Sequence, residues 1–137
     1  TPVKLGAWFE DHLKTHLKYL SSQEKMYAYR MPDTKAAGNY LPDSPADFLL
    51  MTTGVGGILL EAKASAKHCS LRSCLSSNVS TAQALHHRLW SRAGGRSLFL
   101  FCSVKNQTLE LWDGRYVGDC RAKGGVLDKE VGMVKTV

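Results

Sequence analysis

Three side chains in the middle of the chain have the types and spacing of a hydrolytic metal site: Asp47, Glu61 and Lys63. Side chains alternate along an extended strand, so Glu61 and Lys63 share one face while Leu60 and Ala62 point to the other. A strand that buries one apolar face and offers an acid and a base on the other needs partners for both charges. Asp47 opens an earlier apolar stretch, residues 47–51, and the glycine-containing segment 52–57 separates it from the stretch 58–63. Read as a β-hairpin, the two stretches bring Asp47 to within about 5 Å of Glu61. Two carboxylates beside a backbone carbonyl make a hard-oxygen site suited to Mg²⁺, which would hold a phosphodiester and activate a water. Lys63 would neutralise charge developing on the phosphate or help activate that water. The three residues alone also allow a plainer arrangement, a surface salt bridge between Asp47 and Lys63 with Glu61 in solvent.

The elements that must position these residues can be read from periodicity. Leu5, Trp8, Phe9, Leu13, Leu17 and Leu20 share one broad face of a helix over 5–20. His12 and His16 fall within that face and are expected as core or boundary histidines. Residues 25–31 read as a strand ended by Pro32, and 33–45, with Gly38, Pro42 and Pro45, as a loop. The serine-rich stretch 64–78 reads as an exposed, adaptable loop. A helix follows over 81–93, with Ser80 as N-cap, Gln83 completing a capping box, and Gly94-Gly95 as the stop. Ala82, Leu85, Leu89 and Ala93 are its expected buried stripe. Residues 97–104 and 108–112 read as strands, Asp113-Gly114 as a turn, and the tail from Arg115 as glycine-rich with short strands near Tyr116 and Val131. The order predicts a mixed α/β (α+β) fold, a central mixed β-sheet flanked by helices, in one domain spanning 1–137.

Composition narrows the partners. The chain of 137 residues is 44% hydrophobic with a formal charge of +6, which excludes a disordered chain. No apolar run reaches the ~20 residues of a membrane helix, and no leader is evident, so a cytoplasmic protein without membrane contact is expected. Residues 61–105 hold Lys63, Lys67, Arg72, Arg88, Arg92, Arg96 and Lys105 against the single acid Glu61, so the whole excess of +6 lies there. A localised positive field suits nucleic acid. Cys69, Cys74, Cys102 and Cys120 are expected as free thiols, with Cys102 in the core. His68, Cys69, Cys74, His86 and His87 match no zinc spacing.

The run of strand, glycine turn, strand ending in Glu61-Ala62-Lys63, basic segment, helix with Gln83 and apolar strand resembles the PD-(D/E)XK nuclease superfamily. Within it the chain is similar to Holliday junction resolvases of the RecU and archaeal type. The resembling segments are SPADFLLMTTGVGGILLEAKAS and STAQALHHRLWSRAGGRSLFLF, joined by WFEDHL in the first helix. The resemblance implies a restriction-endonuclease-like core of order αβββαββ. It implies Asp47, Glu61 and the Ala62 carbonyl as metal ligands, Lys63 as the catalytic lysine, Gln83 at the start of the following helix, and an acid from the first helix. Glu10 is preferred to Asp11 there because it borders the apolar face. The cofactor implied is Mg²⁺, with Mn²⁺ as a substitute. The partner implied is DNA, above all four-way junctions or other branched DNA, cut by a homodimer. Lys67, Arg72 and Arg88 are the candidate DNA-binding residues, through phosphates. The family's proline before the aspartate is Ala46 here, with Pro45 one place earlier, and the tail after Gly114 is not matched to the family, which leaves its function open. Two other functions are open: a restriction-like or VRR-type nuclease cutting duplex or flap DNA, and a non-enzymatic nucleic-acid-binding domain.

Overall fold

The computed structural model describes residues 5–31 and 46–137. The loop expected over 33–45 and its three punctuating residues lie outside the described residues. Helix α1 (Leu5–Ser22) is followed by strands β1 (Tyr27–Arg30), β2 (Phe48–Thr52) and β3 (Gly56–Ser65). A 3-10 turn (Leu71–Ser73), α2 (Leu75–Asn78) and α3 (Thr81–Arg92) lead to β4 (Arg96–Ser103) and β5 (Thr108–Asp113). Helices α4 (Gly114–Lys123) and α5 (Lys129–Gly132) and strand β6 (Met133–Thr136) close the chain.

The six strands form one sheet in chain order, and only the β3–β4 pair is parallel. That exception follows from connectivity, because the stretch carrying α2 and α3 crosses over the sheet before β4 begins. The expected mixed sheet flanked by helices is therefore present. On one face α1 packs Leu17 against Phe48, Leu50, Ile58 and Leu60. On the other, Leu71, Leu75, Val79, Ala84 and Val117 pack against Phe99, Phe101 and Trp112.

Several expectations change. The segment 64–78 is not a free loop: β3 runs on to Ser65, and Leu71, Leu75 and Val79 are buried. The buried carboxylate of Glu110 on β5 holds this segment down, accepting from Ser70 Oγ and Leu71 N at 3.1 Å each and from Trp112 Nε1 at 3.0 Å. The tail folds as helix first. Asp113 caps α4 by accepting from Tyr116 N at 3.0 Å, so Asp113-Gly114 starts a helix, Tyr116 and Val131 are helical, and a strand comes only with β6. His12 and His16 are exposed, and Trp8 is 42% exposed with its ring edge against His12. All four cysteines are free, as expected, but Cys102 is only partly buried.

Helix α3 departs most. Its expected stripe faces solvent: Leu85 is 50% and Leu89 52% exposed, and Ala82 and Ala93 are exposed too. Ala84 and His87 are buried instead. Close packing explains the choice of face. A Cβ on Gly118 would lie 2.8 Å from the Ala84 carbonyl oxygen and 2.7 Å from Arg88 Cγ, so α4 can approach α3 only with glycine there. A Cβ on Gly114 would strike Ser97 Oγ and come within 2.8 Å of His87 Nδ1.

His87 stacks on Phe99 with ring centroids 4.2 Å apart, and neither ring nitrogen has a hydrogen-bond partner among the described residues. Burial, reinforced by the charges of His86 and Lys63, pushes its pKa down to about 4. The unfolded chain binds this proton near pH 6.5 and the folded one only near 4, so stability falls as pH drops through that window. The full effect is about 3 kcal/mol. The variant His87→Met is therefore expected to flatten the acid limb of stability. In urea unfolding, the loss between about pH 7 and 4.5 should be roughly 2 kcal/mol smaller than in the wild type; equal losses would show that His87 does not cause the acid sensitivity.

Candidate active site

The β2–β3 ladder begins at Phe48 opposite Leu60, one residue short of Asp47 and Glu61. Continuing that register places the two acids opposite each other, Glu61 on the face away from α1 and Asp47 at the strand start, where Glu10 of α1 also reaches it. Here side chains take over from the backbone ladder. The Asp47 N–H donates to Glu61 Oε2 at 3.0 Å, and the Ala62 N–H donates to Asp47 Oδ2 at 2.8 Å. Each acid thus grips the other's strand. The expected hairpin is present, but Asp47 stands just before β2 rather than within it.

Glu61 is 3% exposed and lies beside Phe99 in the β3–β4 register. Its other oxygen, Oε1, accepts from Gln83 Nε2 at 2.7 Å and faces Lys63 Nζ at 3.2 Å. The surface bridge from Asp47 to Lys63 is therefore not what forms: Lys63 pairs with Glu61, and Glu61 is buried. Gln83 performs both roles the sequence suggests. Its Oε1 accepts from Ser80 N at 3.1 Å, closing the capping box, while its Nε2 holds Glu61. Because the cap fixes the side chain at the start of α3, the amide reaches the strand with little freedom left to lose.

Glu10 enters from α1. Its Oε2 pairs with Arg30 Nη2 at 2.7 Å, and it shares a hydrogen bond with Asp47. Arg30 was not visible as a site residue in the sequence, since twenty positions separate it from Glu10 and only the β1–β2 pairing brings it there. Burial pushes Glu10 up to about 7, helped by the hydrogen bond and charge of Asp47 and opposed by Arg30. Burial also pushes Asp47 up to about 6, helped by the charge of Glu61 and opposed by its bonds to Glu10 and the Ala62 N–H and by Lys63. Glu61 is raised by burial as well, against the pull of Lys63 and the Asp47 N–H.

Burial raises all three acids against only two cations, Arg30 and Lys63, and a divalent cation would offset that cost. The Ala62 N–H points toward Asp47, and in an extended strand the carbonyl of the same residue projects to the same side. Among the described residues no group of three or more His, Cys, Asp or Glu is placed to hold an ion alone. The donors that fit are two carboxylates and one carbonyl, which leaves other positions to water or phosphate oxygens, as Mg²⁺ prefers.

Glu10, Asp47, Glu61, Ala62, Lys63 and Gln83 are thus brought together, while the candidate DNA contacts lie outside this group. Lys67 is an exposed side chain just beyond β3, its carbonyl held by Ser103 Oγ at 2.9 Å. Arg72 is exposed on the 3-10 turn. Arg88 is paired with Asp119 on α4 at 2.9 Å.

The raised acids carry a stability consequence with a definite sign. The unfolded Asp47 ionises near 3.8 and the folded one near 6, so the fold loses stability as pH rises across that window and bears the full cost above it. Asp47→Asn is expected to stabilise the metal-free protein by about 1–3 kcal/mol near pH 8 and to change little below about pH 4. Millimolar Mg²⁺ should raise the melting temperature of the wild type near pH 8, less so at about pH 5 where protons compete, and not that of Asp47→Asn. Thermal scans at both pH values with and without Mg²⁺ check this. A Mg²⁺ shift retained in Asp47→Asn would remove Asp47 from the metal site.

No family model and no curated protein matches the chain. Among solved structures it is similar to the Holliday junction resolvase Hjc of the archaeon Archaeoglobus fulgidus. The two superpose with a TM-score of 0.51 at 14% identity, over 81% of this chain and 78% of the other. At that identity the likeness is one of fold: the sheet and its flanking helices have a counterpart in a resolvase.

Proposed function

We propose that the chain is a Mg²⁺-dependent, structure-selective DNA endonuclease of the PD-(D/E)XK type that cleaves branched DNA, four-way junctions above all. The observation that carries the reading is the crossed pair of hydrogen bonds between Asp47 and the Glu61–Ala62 strand, with Lys63 and Gln83 on the remaining Glu61 oxygen. This arrangement places two carboxylates, a carbonyl and a lysine at one strand end, and resolvase-like topology surrounds it.

In this reading Asp47, Glu61 and the Ala62 carbonyl hold the ion. When bound, Mg²⁺ polarises the phosphodiester and lowers the pKa of water beside it. Lys63 stands 3.2 Å from Glu61, close enough to neutralise charge on the phosphate or to orient a nucleophilic water. Gln83 fixes Glu61, so its second oxygen stays turned toward Asp47. Glu10 and Asp47, pushed up by burial to about 7 and about 6, can hold and give up a proton near neutral pH. Mn²⁺ would serve the same oxygen donors. Two copies related by a two-fold axis would present two such sites to opposed strands of a junction, as a homodimer.

One observation favours a second reading. Glu61 already has three protein donors, Asp47 N–H, Gln83 and Lys63, and a buried carboxylate so supplied can be purely structural. The chain would then be a DNA-binding domain without cleavage.

A nicking assay on four-way junction, flap and linear duplex DNA separates these readings. Mg²⁺-dependent nicking, fastest on the junction, is expected. Lys63→Ala and Asp47→Asn should each lower the single-turnover rate by about 10²–10³-fold, the scale of losing one charge-stabilising group. Equal rates on all three substrates would remove the junction preference and leave a restriction-like or VRR-type nuclease. Salt-dependent binding with no cleavage in Mg²⁺ or Mn²⁺ would leave only the binding domain.

A further inference from the structure

Two arginines that the active-site reading leaves unused meet at one cavity. It measures about 190 Å³ and opens between α2 and the C-terminal end of α4. Arg72, Ser73 and Ser76 form one wall; Arg121, Gly124 and Gly125 form the other. Arg121 Nε donates to the Val79 carbonyl at 2.7 Å, which fixes the guanidinium at the cavity edge. Among the described residues its terminal nitrogens make no hydrogen bond, and neither does the Arg72 guanidinium. The ion pairs formed among the described residues are those of Arg30, Lys63 and Arg88, so neither cavity arginine has a carboxylate partner.

Two guanidinium groups that share a space with the Ser76 hydroxyl and no acid offer donors and positive charge together, while the Ser73 hydroxyl is engaged with Ser70. Planar guanidinium forks match the oxygens of a phosphate, two N–H groups to two oxygens. The cavity is also tied to the candidate active site through rigid structure. Val79, which anchors Arg121, directly precedes Ser80, the N-cap of α3, and the same cap holds Gln83 against Glu61. The tail after Gly114 thereby gains a role, since α4 supplies Arg121 and the glycine pair follows directly at its C-terminal end.

We propose that the cavity between α2 and α4 binds a phosphate group, supplied either by the DNA backbone beside the candidate active site or by a free phosphomonoester. The DNA form of the proposal rests on the nuclease reading; phosphate binding itself does not.

The test is amide and arginine Nε–H NMR of the full chain titrated with inorganic phosphate, against chloride at matched ionic strength. Saturable shifts at Ser73, Ser76, Gly124, Gly125 and the two arginines are expected, with affinity falling about tenfold or more in Arg72→Gln. No saturable shift, or a shift kept at full affinity in both Arg72→Gln and Arg121→Gln, overturns the site. Arg121→Gln gives up the Val79 anchor, so Arg72→Gln, whose side chain anchors nothing among the described residues, decides if that variant fails to fold. The source is then read from DNA affinity in EDTA across a range of salt. If the DNA backbone fills the cavity, each variant weakens all DNA alike and reduces the salt slope by about 1. An unchanged slope beside a genuine phosphate shift assigns the cavity to a free phosphomonoester. No cleavage enters either measurement, so a chain that leaves DNA intact in Mg²⁺ would sink the nuclease reading without touching this one.

Discussion

A carboxylate buried as deeply as Glu61 holds its charge only when donors surround it, and each element around the site supplies one. The residue directly before β2 gives the Asp47 N–H, α3 gives Gln83, and β3 itself gives Lys63 two residues on. Removing any single donor would leave a buried charge short of a partner, which costs more than the bond itself is worth. The position of α3 over the sheet, the register of the hairpin and the length of β3 are therefore coupled through one side chain. The backbone ladder stops at Phe48 and Leu60 because, from there on, carboxylates do the pairing.

Part of this was legible in the sequence because it depends on short-range rules. Strand alternation alone puts Glu61 and Lys63 on one face, a glycine-containing turn folds residue 47 back toward residue 61, and Ser80 with Gln83 announces a helix start. Each inference spans a few residues or one hairpin. Arg30 was not legible, because its pairing with Glu10 requires β1 to lie beside β2 and α1 to cross that pair. Glu110 reads as an ordinary strand acid, yet it holds the segment after β3 through donors from Ser70 and Leu71, with Trp112 of its own strand as the third. Nothing local marks a residue that must meet partners thirty or more positions away.

Helix α3 shows the same limit from the other side. Its apolar periodicity was real, but periodicity reports amphipathicity, not which face a neighbour will cover. Two requirements override it. Gln83 must face Glu61, and Ala84 must meet Gly118 so that α4 can close down. Both residues lie on the face that buries His87, so an aromatic base enters the core unpartnered while two leucines stay half in solvent. Stacked on Phe99, His87 avoids the cost of a buried charge by staying neutral.

The charge pattern of residues 61–105 also divides once the fold is known. Lys63 is drawn to Glu61 and Arg88 to Asp119, so among the described residues two of the seven cations are engaged within the protein. Arg72, by contrast, joins Arg121 from outside the basic stretch, at a cavity that neither sequence position announces. Glu61 was already counted in the stretch, but Asp119 lies outside it, so its pairing with Arg88 offsets one further positive charge and shortens the reach of the field. A paired cation presents a dipole, whose field falls off faster than that of a free charge, whereas unpaired arginines act out to the Debye length. The positive surface available to a polyanion is therefore narrower than the sequence total suggests, and the part that adjoins α2 and α4 carries more weight within it.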